Sequence, residues 1–255
     1  MNARTLKYVR EYRWSNVFAM VRNGRKPPLI CSEDCKGKLV VITGATSGIG
    51  YATARKYASM GADLLCVNRN PEKSARLKEE IQGEFGVKCD SLIADLSSLQ
   101  DISRVGAELA RLDRNIDVLI HNAGIYLTRR EITVEGLEKV FTVHYLASFI
   151  ITYLLMDKLR AQDRARIIMV GSEGHRFAAW GLRLDDLNWE LRSYSGLGSY
   201  GSAKLAQLLA MLRFAELFQG SGVTINTMHP GAVKSETGQD NGPLYRWFKK
   251  HCFDR

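Results

Sequence analysis

No stretch of this 255-residue chain reaches the roughly 18 consecutive apolar residues that a membrane span needs, and no cleavable signal pattern opens it. Internal repeats and low-complexity tracts are absent as well. The five cysteines (Cys31, Cys35, Cys66, Cys89, Cys252) are an odd number without the pairing of zinc ligands, so no metal site is expected. They read as free thiols in a reducing compartment, and the expected location is the cytoplasm. A net charge of +9 invites a nucleic-acid or membrane partner, yet it is unevenly spread. Residues 1–37 hold eight Lys/Arg against three Asp/Glu, and residues 243–255 hold four against one. The 205 residues between them carry 24 against 23, so the body of the chain is close to neutral. No nucleic-acid partner is expected.

What is present suits one α/β domain with a large core, since 45% of residues are hydrophobic and 25% charged. Residues 1–37 stand apart from it as a basic extension. Trp14, Val17, Phe18 and Val21 fall on one helical face with Arg10, Arg13, Arg22 and Arg25 nearby. Residues 1–26 could therefore lie peripherally on a membrane surface, or dock the same stripe on the protein's own body. Pro27-Pro28 ends the segment. From Lys38 onward, apolar β-branched runs at about 39–43, 63–68, 88–94, 116–121, 165–171 and 223–228 alternate with helical patterns. The helices fall at about 48–60, 71–84, 98–112, 134–160 and 198–219. That alternation predicts a doubly wound parallel sheet with helices on both faces, occupying residues 38–255.

The first strand breaks into Thr43-Gly44-Ala-Thr-Ser47-Gly48-Ile49-Gly50, after which a helix begins. A strand, a tight turn and a helix N-terminus present bare N–H groups and a positive dipole end to a pyrophosphate. Gly44 can take the turn dihedrals, Gly48 admits a close ligand, and Gly50 lets the helix pack on its strand. This is the dinucleotide-binding, or Rossmann, arrangement. Where the second strand ends, an acidic residue would hold ribose hydroxyls and repel a 2′-phosphate; Asn68 stands there instead. Arg69 follows, a planar donor fork for a phosphate or else a solvated charge. NADP(H) is expected over NAD(H). Further on, Tyr200-Gly-Ser-Ala-Lys204 puts a phenol and an ammonium on one helix face, where the ammonium together with the nicotinamide's positive charge would lower the tyrosine's pKa and fit it for acid–base work.

Gly-x-x-x-Gly-x-Gly, Ser172 after the fifth strand and Tyr-x-x-x-Lys together resemble the short-chain dehydrogenase/reductase family. The resemblance covers about residues 38–236. It implies that Ser172 positions the substrate oxygen, Tyr200 exchanges the proton, and Lys204 also binds the ribose. It further implies cofactor contacts at Ser47, Ile49, Asp95-Leu96, Asn122-Ala123-Gly124, Pro230-Gly231, Val233 and Ser235. Asp95 could equally cap the next helix. His121 replaces the first asparagine of the family's Asn-Asn-Ala-Gly and is not expected to be catalytic. His144 stands where the family carries a relay asparagine; it either carries the proton relay or fills space.

Between Ser172 and Tyr200 lie 27 residues, and this length with the Leu-Asp-Asp-Leu-Asn pattern (184–188) looks like the retinol-dehydrogenase-like branch. Phe177, Trp180, Leu182, Leu184, Leu187, Trp189 and Tyr194 in this insert could wall a dry pocket for an apolar carbonyl or alcohol, or simply form the core of a lid. Only about 20 residues follow Ser235 and none reads as a seventh strand, so the chain looks C-terminally short. The family also implies a homodimer through helices 134–160 and 198–219. The expected function is hydride transfer between NADP(H) and a retinoid-, steroid- or aldehyde-like molecule. The alternative is a cofactor-binding regulatory or scaffold protein without turnover.

Overall fold

A computed structural model describes residues 31–178 and 181–231. The extension over residues 1–26, Pro27-Pro28, Trp180, Val233, Ser235, Cys252 and the C-terminal stretch lie outside the described residues.

Leu39–Thr43 forms the first strand, β1, and all five of its residues are buried. Successive side chains of a strand face opposite sides, and here each side meets its own core. Leu39 and Val41 join Ile102, Leu119, Ile151 and Phe214, while Val40 and Ile42 join Ala54, Ala58, Leu77 and Ile81. A strand buried on both faces needs the continuous apolar run that Leu-Val-Val-Ile supplies. The remaining strands are β2 (Asp63–Asn68), β3 (Cys89–Ile93), β4 (Val118–His121), β5 (Ala165–Val170) and β6 (Val223–Met228). They pair in parallel in the order β3-β2-β1-β4-β5-β6. The order reverses between β1 and β4, which opens a crevice at the strands' carboxyl ends.

The helices start where side chains can cap them. In α1 (Gly48–Ser59) the turn itself leads in. Asn70 accepts from the Lys73 amide ahead of α2 (Pro71–Phe85), which has proline in its first turn and Gly86 in the left-handed region at its end. Ser98 caps α3 (Leu99–Ala110) in the same way, and Ser195 caps α7 (Gly196–Leu217).

The helix expected over 134–160 is instead four pieces. Residues 132–138 close a small turn, with Gly136 at φ +79° and an antiparallel bridge from Ile132 to Glu138. Glu138 then caps α4 (Lys139–Phe141), accepting from the Phe141 amide at 2.7 Å. A π-helical segment (Thr142–Leu146), α5 (Ala147–Leu154) and α6 (Met156–Arg160) follow. A 3-10 turn over Glu173–Ala178, unforeseen in the sequence, packs on α7. No helix among the described residues is long and apolar enough to cross a membrane.

Candidate active site

The turn after β1 is held open from below. Gly44 has φ +70° and Gly48 φ +54°, a region that side chains rarely adopt. A Cβ on Gly50 would overlap the Gly44 carbonyl oxygen, so only glycine lets α1 approach β1 this closely. Asn122, just past β4, ties the turn to the sheet: its Nδ2 donates to the Thr43 and Gly44 carbonyls at 3.0 and 2.8 Å. The Thr43 hydroxyl in turn accepts from the Asn122 and Ala123 amides, each at 3.0 Å.

Above this turn runs a cleft of about 940 Å³ along the carboxyl ends of the strands. It gathers Gly44, Ser47, Gly48, Ile49, Asn68, Arg69, Asp95, Leu96, Asn122, Ala123 and Gly124 at one end and middle. His144, Ser172, Tyr200, Lys204, Pro230 and Gly231 line the rest. Gly50 lies beneath the turn rather than on the wall. Thr46, Asn70, Lys73 and Tyr126 line it too and were missed in the sequence. Lys73 lies four residues past Arg69, in the first turn of α2, a spacing that could have flagged a second cation at the same end.

Asn68 is buried at the end of β2. Its Oδ1 accepts from the Ala45 amide at 2.8 Å, while its Nδ2 is enclosed with no partner in the structure. An enclosed donor is costly to leave unmade, so it is matched to an acceptor that would enter the cleft. Asp95 folds back on its own turn, accepting from the Ser97 amide and hydroxyl at 2.9 and 2.8 Å; the capping of α3 falls to Ser98.

At the other end, Ser172 follows β5, and its Oγ accepts from the Gly174 amide at 3.0 Å. Tyr200 and Lys204 sit one turn apart on α7, facing it. Burial raises the Tyr200 pKa, and a hydrogen bond to Ser172 pulls the other way. Lys204 is fully enclosed, and burial alone pulls its pKa down to about 7. Its Nζ donates to the Val170 carbonyl at 2.6 Å and to Gln207 Oε1 at 3.1 Å, and lies 6.0 Å from the centre of the Tyr200 ring. The protein groups alone thus raise the Tyr200 pKa, and the lowering expected from the sequence counted on the nicotinamide's charge as well. Desolvation penalises phenolate and ammonium alike.

His144 reaches the cleft from the π-helical segment, its ring edge-on to Tyr200 at 5.2 Å between centroids. Its Nε2 lies 2.8 Å from the Ile125 carbonyl and 3.1 Å from the Ile125 amide, and its Nδ1 is enclosed without a partner. A Cβ on Gly124 would overlap the ring, so that glycine makes its room. Burial first, and the Lys204 charge second, hold the imidazole pKa well below its ordinary value. Its side chain makes no bond to Lys204; the path between them runs through the His144 carbonyl, which accepts from Gln207 Nε2 at 3.0 Å. His121 lies off the cleft, bonded to the Thr152 hydroxyl at 2.9 Å, and burial lowers its pKa to about 4.

The family model described as short chain dehydrogenase matches residues 38–181, more than half of the chain. The chain belongs to the short chain dehydrogenase family. Human retinol dehydrogenase 13 is 37% identical over 207 residues, 81% of this chain and 62% of that protein. Mouse retinol dehydrogenase 12 is 35% identical over 212 residues, 81% of this chain and 66% of its own length. These relatives put it in the retinol-dehydrogenase-like branch. The chain spans just under two thirds of the length of either. Among solved structures, a short-chain dehydrogenase from Sphingobium yanoikuyae in complex with NADPH superposes with a TM-score of 0.67 at 27% identity, over 79% of this chain and 73% of that one.

In this short chain dehydrogenase the insert between Ser172 and Tyr200 begins with the Glu173–Ala178 turn packed on α7, and its later part bonds to itself and to residues 130–138. None of its described residues lines the cleft. Trp189 is buried edge-on to Tyr194, with Arg192 stacked 3.7 Å over its ring. Arg192 meets the enclosed Asp186 carboxylate at 3.2 Å as an ion pair without an aligned hydrogen bond. The Asp186 carboxylate also accepts from the Glu190 and Leu191 amides. Tyr194 donates to the buried Glu138, and Asn188 accepts from the Glu138 amide. The aromatics foreseen as pocket wall are, where described, the core of this loop, with Phe177 left 57% exposed. The cleft's apolar wall near Tyr200 comes instead from Ile125, Tyr126, Leu127 and Val143.

Proposed function

We propose that this chain is an NADP-dependent oxidoreductase that interconverts a carbonyl and an alcohol on a lipophilic small molecule of retinoid, steroid or aldehyde type. The observation that carries this reading is the meeting of Ser172, Tyr200 and Lys204 on one wall of a cleft whose far end holds Asn68, Arg69 and Lys73. The enclosed, unpartnered Asn68 Nδ2 and the lack of a carboxylate at that strand end suit a phosphorylated ribose. The glycine turn, Asp95-Leu96, Asn122 to Gly124, Pro230-Gly231 and, from the sequence, Val233 and Ser235 would hold the remainder of the cofactor. When bound, the nicotinamide supplies or accepts the hydride.

The protein's own part is binding and proton handling. The Ser172 hydroxyl orients the substrate oxygen beside Tyr200, whose phenol gives up its proton on reduction and regains it on oxidation. A phenol kept protonated by burial suits the reducing direction at neutral pH. Lys204 holds a positive charge beneath it. Ile125, Tyr126, Leu127 and Val143 favour an apolar substrate, in keeping with the names of the retinol dehydrogenase relatives.

The test is consumption of NADPH and of NADH by the purified chain with all-trans-retinal, nonanal and a 3-ketosteroid. Faster NADPH consumption with at least one of them is expected. NADPH binding with no consumption would favour the regulatory or scaffold alternative, and preference for NADH would overturn the cofactor assignment. Residues 1–37 are proposed as a separate basic extension whose residues 1–26 contact membranes, which co-sedimentation with anionic vesicles before and after their deletion would check. Homodimerisation through 139–160 and α7 is proposed as well, supported by the exposed Tyr153, Leu209 and Leu212, and light scattering decides it.

A further inference from the structure

Both groups that the enclosed Lys204 ammonium touches are uncharged: the Val170 carbonyl and Gln207 Oε1. Among the described residues no carboxylate pairs with it. Gln207 lies three residues further along α7 and is itself 3% exposed. Its second amide end donates to the His144 carbonyl at 3.0 Å, so one side chain spans the gap between the lysine and the π-helical segment. That carbonyl also accepts from the Ser148 hydroxyl at 3.0 Å, which fixes it in turn.

We propose, resting on the roles given above to Tyr200 and Lys204, that Gln207 is a positioning residue whose amide anchors the Lys204 ammonium to the π-helical segment and favours its charged form without cancelling the charge. A leucine in its place would leave the ammonium one acceptor and the His144 carbonyl only its bond from the Ser148 hydroxyl. A glutamate would hold the proton harder and neutralise the field that Tyr200 feels. The amide does neither. It also cannot hand on a proton without changing tautomer, so the bridge holds the lysine and does not relay through it. The titratable groups facing Lys204 are Tyr200 on its own helix and His144 on the π-helical segment; burial keeps the first a phenol and the second a neutral imidazole. Gln207 is thus the neighbour best placed to set the lysine's protonation, which burial already brings close to neutrality.

The experiment is an NMR titration of the full chain labelled with 13Cε-lysine, the Lys204 signal being assigned by its loss in Lys204→Met. In the parent the signal should titrate near 7. Gln207→Leu should move that midpoint down by about one pH unit and Gln207→Glu should move it up by at least about as much. The high-pH limb of kcat for nonanal reduction with NADPH should follow in the same two directions while the NADPH Kd changes less than about threefold. A merely structural glutamine would lower Tm and leave the midpoint where it was. If Gln207→Leu fails to fold, Gln207→Glu, which keeps size and acceptor, decides alone. An unmoved Lys204 midpoint in every folded variant overturns the proposal. A midpoint that moves in a chain consuming no NADPH upholds the lysine–glutamine anchor and sinks only the enzymatic reading.

Discussion

The two halves of the sheet hold their functional groups by different means. From β1 to β3 the site is mostly backbone: left-handed glycines, a helix start, an Ala45 amide held by Asn68, and the Thr43 and Gly44 carbonyls held by Asn122. From β4 to β6, with α7, it is made of enclosed side chains, namely Tyr200, Lys204, His144 and Gln207, whose charge states are set by the water they lack. Backbone geometry is indifferent to pH and responds to steric change. Desolvated side chains respond to single atoms and to protons. Substitutions in the two halves should therefore fail in distinguishable ways.

Tyr200→Phe would test that contrast most severely. Removing one hydroxyl should leave NADPH binding intact and lower turnover by about 10²–10⁴-fold. A variant that turned over at near-parental rate would break the division at once, because the second half would then owe nothing to its titrating groups.

Acid should separate the halves next. His121 is a neutral imidazole in the second half, its pKa lowered from 6.5 to about 4 by burial. Protons then bind the unfolded chain more readily than the folded one, so this contribution is complete above about 6.5 and is lost as pH falls towards 4. The loss comes to about 3 kcal/mol at most. His144, lowered in the same direction, adds to it. Denaturant midpoints at pH 7.5 and 5.0 should show the fall, and His121→Asn should make it shallower. An equal fall in that variant would clear His121 of the effect.

In the first half, Arg69→Ala should weaken NADPH by about tenfold to a hundredfold, the worth of one charge-assisted contact, and barely alter NADH. Isothermal titration with both cofactors gives the answer, and equal weakening of the two would remove Arg69 from the phosphate. The smallest effect is expected at His144. With its ring bonded to Ile125 and no side-chain link to Lys204, His144→Asn should keep kcat of the folded fraction within about threefold. A loss that His144→Asn repairs relative to His144→Ala would instead give the imidazole a relay role.

The sequence made the first half legible for the reason that the halves differ. Glycine spacing reports backbone dihedrals directly, and β-branched runs located all six strands to within a residue or two. The second half was legible only as residue types. Tyr200 and Lys204 could be placed on one face, but not the water lost around them, so the upward pull of burial on the tyrosine was not foreseen. Gln207 stood three residues past Lys204, in reach on a helix, yet an amide in a helix carries no signal of its own. The π-helical segment inserts its extra residue where apolar periodicity cannot register it. Gly136, by contrast, was a readable stop signal ahead of Lys139. The insert's aromatics gave a count without a direction, and Trp189 and Tyr194 turned towards Arg192 and Glu138 instead of the cleft.

The central position of β1 also bears on the order in which the chain is assembled. Val40 meets Leu64 after 24 residues on one side and Val118 only after 78 on the other. Closing the longer loop costs about 1 kcal/mol more in chain entropy, so the pairing with β2 is favoured first. During synthesis β1, β2 and β3 emerge before β4 exists, and until it arrives β1 presents an open apolar edge. The nucleotide-binding half is then the template onto which the catalytic half is laid. A destabilising change around β4 would leave the exposed edge of β1 waiting longer, and its first symptom would be aggregation of newly made chains.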